Sequence, residues 1–324
     1  MLMSRLLKLA WLFALLLATG TALGQVVALD YPVRHPVKAG SWYPGTGDEL
    51  LRRIKKLSAE TEDTLLDPRH GKLRALIVPH AGYDYSGSTA AAGYKLINGK
   101  KYKRVVIIGA AHYGDVPSLS ILDVHAYTTP LGMVELDRKA VDYLRRSPLV
   151  IRHPTAHAQE HSIEMQLPFL QVMLQPGWKL VPILVGDMYR NQYRQSANII
   201  KPLLDDDTLL VVSGDFTHYG PGYDFVPFPL DENTARRIAL LDKQIIEHIK
   251  NVDPDGLAVY RYEKDLNDCV YPAAMILLNL LPGDTKINTV RYMTSGAVTG
   301  NYRNSVSYVA LSFQRKSRLA DSSR

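Results

Sequence analysis

Three short apolar runs, each ending in a turn that carries a reactive side chain, constrain this chain more than any other feature. Ala75-Leu-Ile-Val-Pro-His80 stops at a proline and delivers a histidine to the first turn beyond it. Val105-Val-Ile-Ile-Gly109 ends three residues before His112, and Leu209-Leu-Val-Val-Ser213 runs out into Asp215 and His218. Continuous apolar runs of this length read as strands buried on both faces. In such α/β sheets the loops beyond the C-terminal strand ends present the functional groups.

The rest of the chain supplies the helices this arrangement needs. Helical spacing or composition predicts helices over 49–59, 86–96, 137–146, 160–174, 192–204, 232–249 and 270–281. The 160–174 stripe is interrupted by Pro168, and the 86–96 segment is rich in small residues that allow close packing on a sheet. Further strands are predicted at 118–122, 179–185, 290–293 and 307–313, and Thr129-Pro-Leu-Gly132 reads as a turn. Helices and strands alternate without a linker, a repeat or a low-complexity tract, which predicts one α/β domain over 31–314 and a polar tail at 315–324.

The first 24 residues have a different character. Arg5 and Lys8 precede an apolar stretch, Leu9–Ala18, and Ala22-Leu-Gly24 is a small-x-small cleavage pattern. The apolar core is short for a membrane span. The reading is a cleavable signal over 1–24 and export, into a periplasm, with no stable membrane insertion afterwards; an uncleaved anchor is the alternative. Of the formal charge of +6, Arg5 and Lys8 supply two, so the remaining chain is only mildly basic. No basic block is interleaved with aromatics, which argues against nucleic acid as a partner. Cys269 is the single cysteine, unusual where exported proteins pair theirs, and is either buried and inert or kept for chemistry.

Several side chains have ligand or acid–base chemistry. Imidazole and thiolate suit borderline and soft transition metals, so His80, His112 and Cys269 form one candidate set. Cys269 lies just before the 270–281 helix, where backbone N–H groups lower a thiol's pKa; Asp268 could cap that helix and would oppose this. Asp215 and His218 could complete a metal shell or act as an acid–base pair, or simply start a capped helix. His157-Ala-Gln-Glu160-His161 matches the H-x-x-E-H zinc-peptidase pattern, with Glu160 as base, and lacks an evident further ligand. No G-x-G-x-x-G, P-loop or G-x-S-x-G is present, so neither a nucleotide cofactor nor a serine nucleophile elbow is indicated.

Read together, Ala39-Gly-Ser-Trp-Tyr-Pro44, Val78-Pro-His-Ala-Gly-Tyr83 with Tyr85-Ser-Gly87, Thr129-Pro-Leu-Gly132, Glu160-His-Ser-Ile-Glu-Met165, Ser213-Gly-Asp-Phe-Thr-His-Tyr219, Cys269 and Ser305-Val-Ser-Tyr308 resemble the Memo family, also called AmmeMemoRadiSam system protein B. The likeness runs from about His35 to Phe313. It implies a fold similar to class III extradiol dioxygenases, a mixed and mostly parallel sheet flanked by helices. By family motif it implies iron or copper, with zinc also acceptable, on His80, His112 and Cys269. Asp215 and His218 would line the same pocket and, with Glu160 and His161, are the candidate catalytic residues. Family residues implicated in phosphotyrosine-peptide binding match Trp42 and Tyr85. Two departures stand out: Gly109-Ala-Ala-His-Tyr113 replaces the family's Gly-Pro-Ser-His-His, and Val270-Tyr-Pro272 follows the cysteine in place of Gly-Arg-His-Pro. The resulting expectation is an exported metal protein with redox or dioxygenase-like chemistry on an unidentified small molecule or peptide. Non-catalytic metal binding, peptide binding and zinc peptidase action are the alternatives.

Overall fold

The computed structural model describes residues 32–62, 66 and 70–316. The predicted signal segment and most of the predicted tail lie outside the described residues. In chain order the strands are β1 (Val33–Arg34), β2 (His70–Val78), β3 (Arg104–Ala110), β4 (Leu119–Ser120), β5 (Ala126–Thr129), β6 (Gly132–Glu135) and β7 (Val150–Ile151). They continue with β8 (Lys179–Val185), β9 (Thr208–Ser213), β10 (His218–Tyr219), β11 (Lys286–Thr294) and β12 (Ser305–Lys316). The main sheet runs β10-β12-β2-β9-β3-β8-β4-β7, with β11 paired to β12. Its centre, β2-β9-β3-β8, is parallel, while β12 and β4 join it antiparallel on either side. A small sheet, β1-β5-β6, lies apart and includes the hairpin made by the predicted turn at 129–132.

The parallel centre is where the apolar runs belong. Leu76, Ile77, Val106–Ile108, Leu184 and Val211 are wholly buried, and burying each such side chain stabilises the fold by about 1.5–3 kcal/mol. Helices cover both faces. The small residues of Gly87–Lys95 let that helix lie tight on the sheet: a Cβ on Gly93 would stand 2.9 Å from Val78 Cγ1. The expected single α/β domain with a mixed, mostly parallel sheet flanked by helices is the observed architecture.

Local differences have physical causes. The predicted 160–174 helix starts only at Leu167, after a 3₁₀ turn at Glu164–Gln166, and Pro168 sits in its first turn, where the missing N–H costs nothing. Residues 160–163 stay non-helical because the Glu160 carboxylate takes the N–H groups of His161 and Ser162. A helix at Pro254–Lys264 was not expected; only Leu257 of it is buried, so no apolar stripe announces it. Its start is nonetheless encoded, by Asp253 capping Gly256 N–H and Pro254 in the first turn.

Candidate metal centre

The three parallel strands β2, β3 and β9 end side by side, and the residues beyond them converge. His80 follows β2, His112 follows β3, and Asp215 and His218 follow β9. Cys269 arrives from the other direction, just ahead of the helix Tyr271–Leu280. Close approach there depends on Gly214, where a Cβ would come 2.4 Å from Val270 Cα. One ligand-competent atom from each of His80, His112 and Cys269 falls within 4.8 Å of the other two. His80 Nε2 lies 3.3 Å from Cys269 Sγ.

The hydrogen bonds around the imidazoles determine which nitrogen carries the proton. Ser213 Oγ donates to Ser162 O and accepts from Gln166 Nε2, so its remaining lone pair accepts Nδ1–H of His80 at 3.1 Å. His112 Nδ1 faces the Glu160 carboxylate at 3.0 Å, which can only accept, and His218 Nδ1 donates to Phe216 O at 2.9 Å. Each ring is left with a bare Nε2. An imidazole oriented through Nδ1 by a carboxylate or carbonyl is the usual arrangement of a metal-ligating histidine.

Burial keeps His80, His161 and His218 neutral. Desolvation drives the pKa of His80 well down, with His112, His161 and His218 adding repulsion. It takes His161 down to about 3 and His218 to about 4. Desolvation pushes the Asp215 carboxyl up to about 7, against the N–H groups of His80 and Ala81 that it accepts. Burial, then the Asp215 and Asp268 carboxylates, raise the Cys269 thiol well above its ordinary value. The helix-terminus expectation for this thiol is therefore reversed. Asp268 caps nothing; it is buried with Arg261 Nε 3.5 Å away.

The segment Glu160–Glu164 has a positioning role. Glu160 Oε1 accepts from His112 Nδ1, His161 N–H and Ser162 N–H, and Oε2 accepts His112 N–H. Its pKa falls to about 2: burial alone would raise it, and His112 and His161 more than offset this. Glu164 pairs with buried Arg34 and accepts Val37 N–H, Lys38 N–H and Tyr43 O–H, which fixes the turn before Trp42. His157 takes no part. Its Nε2 bonds Ser120 Oγ at 3.0 Å, and the helix Pro154–Ala158 ends before Glu160, so the H-x-x-E-H pattern does not lie on one helical face. A second ligand-competent grouping among the described residues is His112, Glu160 and His161, again without His157.

A cavity of about 730 Å³ opens over the cluster. His80, His112, His161, Asp215 and His218 form its floor, and Trp42 and Tyr85 line it, together with Tyr223, Tyr308 and Asn304. Trp42 meets His161 edge-on at 4.5 Å, and His161 stacks on His112 at 4.6 Å. Sequence reasoning missed Ser213 and Gln166, which orient His80; their only signal is position, a polar residue ending a buried strand and another preceding a proline-started helix.

The family model for Memo-like protein matches residues 34–312. The chain belongs to the Memo family. Among Memo relatives, a MEMO1 family protein of Nitrosopumilus maritimus is 31% identical, with 87% of this chain and 99% of the relative covered. One from Methanopyrus kandleri is 32% identical over 87% and 99%, and the memo-1 homolog of Caenorhabditis elegans is 32% identical over 84% and 80%. Among solved structures, an uncharacterized Escherichia coli K12 protein, JW3007, aligns at TM-score 0.39 and 15% identity over 74% of this chain and 99% of its own.

Proposed function

We propose that the strand-end cluster is a mononuclear transition-metal centre held by His80, His112 and Cys269, serving redox or dioxygenase-like chemistry on a small molecule in the cavity above. The supporting observation is the grouping of ligand atoms of His80, His112 and Cys269 within 4.8 Å of one another, with Nδ1 of the two rings facing Ser213 and Glu160. Two imidazoles and a sulfur fit iron, copper or zinc and fit magnesium or calcium poorly. Such an ion, with an open position, would supply Lewis acidity and, if redox-active, electron transfer to a bound phenolic ligand or dioxygen. The chain's own groups do the rest. Asp215 is poised to hold or release a proton near neutral pH. His218 offers Nε2 as a hydrogen-bond acceptor to a ligand hydroxyl, and Trp42 and Tyr85 supply flat walls. Glu160 acts through His112, as its carboxylate is occupied by four donors.

A thiolate ligand oxidises readily, which favours metal handling without turnover as the second reading. We also propose export, on the strength of residues 1–24; the mass of the purified chain would show cleavage. The main test is metal analysis of the full chain beside His80→Ala, Cys269→Ser and His157→Ala. Iron or copper is expected to fall in the first two and persist in the third. Wild-type content in both of the first two would end the proposal. Oxygen uptake with a panel of catechols separates the two readings: uptake supports catalysis, and silence supports metal handling.

A further inference from the structure

A second cavity lies where β9 begins, away from the strand ends that carry His80 and His112. It encloses about 180 Å³ and shares no lining residue with the cavity over the cluster. Ala75, Leu210 and Leu277, each at most 3% exposed, form its floor, and the half-buried Leu204, Leu280 and Leu281 form its walls. Its rim is charged. Arg74 there is taken up by Asp206, and Asp205 accepts Thr208 O–H at 2.7 Å and Asp207 N–H at 3.0 Å, with Arg104 3.7 Å away. Lys201 and Arg315 also line the cavity, are exposed, and make no ion pair or side-chain hydrogen bond with a described residue. Two helical segments end beside it, Tyr271–Leu280 and the 3₁₀ turn Lys201–Leu203 that continues the helix Arg190–Ile200. A helix C-terminus carries about half a negative charge, so both ends together offset one of the two free cations and leave the rim positive.

An apolar pit under an unbalanced positive rim suits a ligand with an aliphatic tail and an anionic head. At about 30 Å³ for each water-sized group, the space holds a chain of about six carbons. We infer that this cavity binds a short aliphatic carboxylate, with its tail on the leucines and its head at the rim formed by Lys201 and Arg315. The site requires neither a metal nor the strand-end cavity, so it stands or falls apart from the function proposed above.

Methyl NMR on the full chain, titrated with hexanoate, acetate, hexan-1-ol and hexylamine, tests head and tail separately. Hexanoate should shift the methyl signals of Leu204, Leu280 and Leu281 and bind about threefold to tenfold more tightly than hexan-1-ol, as expected for two exposed ion pairs. Hexylamine, with the opposite charge, should bind more weakly than the alcohol. Acetate lacks the tail and should bind at least about tenfold more weakly than hexanoate, since each buried methylene contributes up to about fourfold. The preference for the carboxylate over the alcohol should fade with added salt and vanish in the double variant Lys201→Gln, Arg315→Gln. That variant should still bind hexan-1-ol as the wild type does, because both side chains are exposed and the leucines are untouched. Equal affinity for hexanoate and hexan-1-ol in the wild type overturns the inference. So does a preference that survives the double variant, binding that leaves the three leucine methyls unmoved, or no binding of hexanoate at all.

Discussion

Glu160→Gln is the sharpest perturbation of the candidate metal centre, because it keeps size and shape and changes one atom. The carboxylate accepts four hydrogen bonds, three on Oε1 and one, from His112 N–H, on Oε2. A glutamine carbonyl placed at Oε1 keeps three acceptor contacts and turns its NH₂ toward the His112 N–H, so two donors face each other in a buried site. The flipped amide faces three donors and is worse. Leaving one buried N–H unpaired costs about 1–3 kcal/mol. The Nδ1 bond of His112 also loses its charge assistance, which roughly halves its strength. Removing the orienting partner of a ligating histidine typically weakens metal binding about 10–100-fold, or about 1.4–2.7 kcal/mol. Competition against a chromophoric chelator, with zinc as a redox-silent probe, measures the affinity; denaturant unfolding of the metal-free protein measures the fold cost separately. The variant should show both losses. Zinc affinity within twofold of wild type, alongside the expected loss of metal-free stability, would refute the role assigned to Glu160.

Three further outcomes follow from the same geometry. Burial, with Arg34 nearby, lowers the pKa of His157 to about 4, so the unfolded chain takes its proton first and stability falls as pH drops from about 6.5 to about 4, by up to about 3 kcal/mol. His157→Gln should flatten unfolding free energy against pH across that window, and coincident slopes would contradict it. Gly214→Ala pushes a methyl into the Val270 backbone and should cost about 1–3 kcal/mol in thermal or denaturant unfolding while weakening metal binding; an unchanged variant would mean the Cys269 approach is looser than described. Because burial holds the Cys269 thiol protonated, metal loading should release a proton, so affinity rises with pH. Calorimetry in buffers of different ionisation enthalpy should detect that proton in the wild type and not in Cys269→Ser.

What could be read from the sequence was what continuous apolar runs and strand-end residues encode. The β2, β3 and β9 segments are visible because strands buried on both faces need no polar alternation, and their C-terminal loops had to meet wherever the strands are parallel neighbours. Cys269 is different. Nothing within 50 residues of it names His80 or His112; family motif, not spacing, supplied the link, and Gly214 gives the physical reason it can arrive. Glu160–His161 was legible as chemistry, but its five-residue pattern implies a helical zinc site only if a helix carries it, and here the carboxylate's own backbone hydrogen bonds prevent the helix. Ser213 and Gln166 act through tertiary neighbours, so no local pattern betrays them.

The same burial that keeps His80, His161 and His218 neutral also decides what Cys269 can donate to them. Imidazoles with bare Nε2 atoms beside one sulfur would repel if they shared no proton. The thiol supplies one. Held protonated by desolvation and by Asp215, Cys269 can direct S–H toward His80 Nε2, 3.3 Å away, while its sulfur accepts Asp215 N–H at 3.1 Å. A helix-activated thiolate, as the sequence position suggested, would instead leave a buried negative charge among lone pairs with nothing to balance it. The raised thiol pKa therefore argues against a free nucleophilic thiolate at Cys269. Ser213, backed by Gln166, and Glu160 hold the two rings through Nδ1, the nitrogen that a metal bound at Nε2 would leave alone.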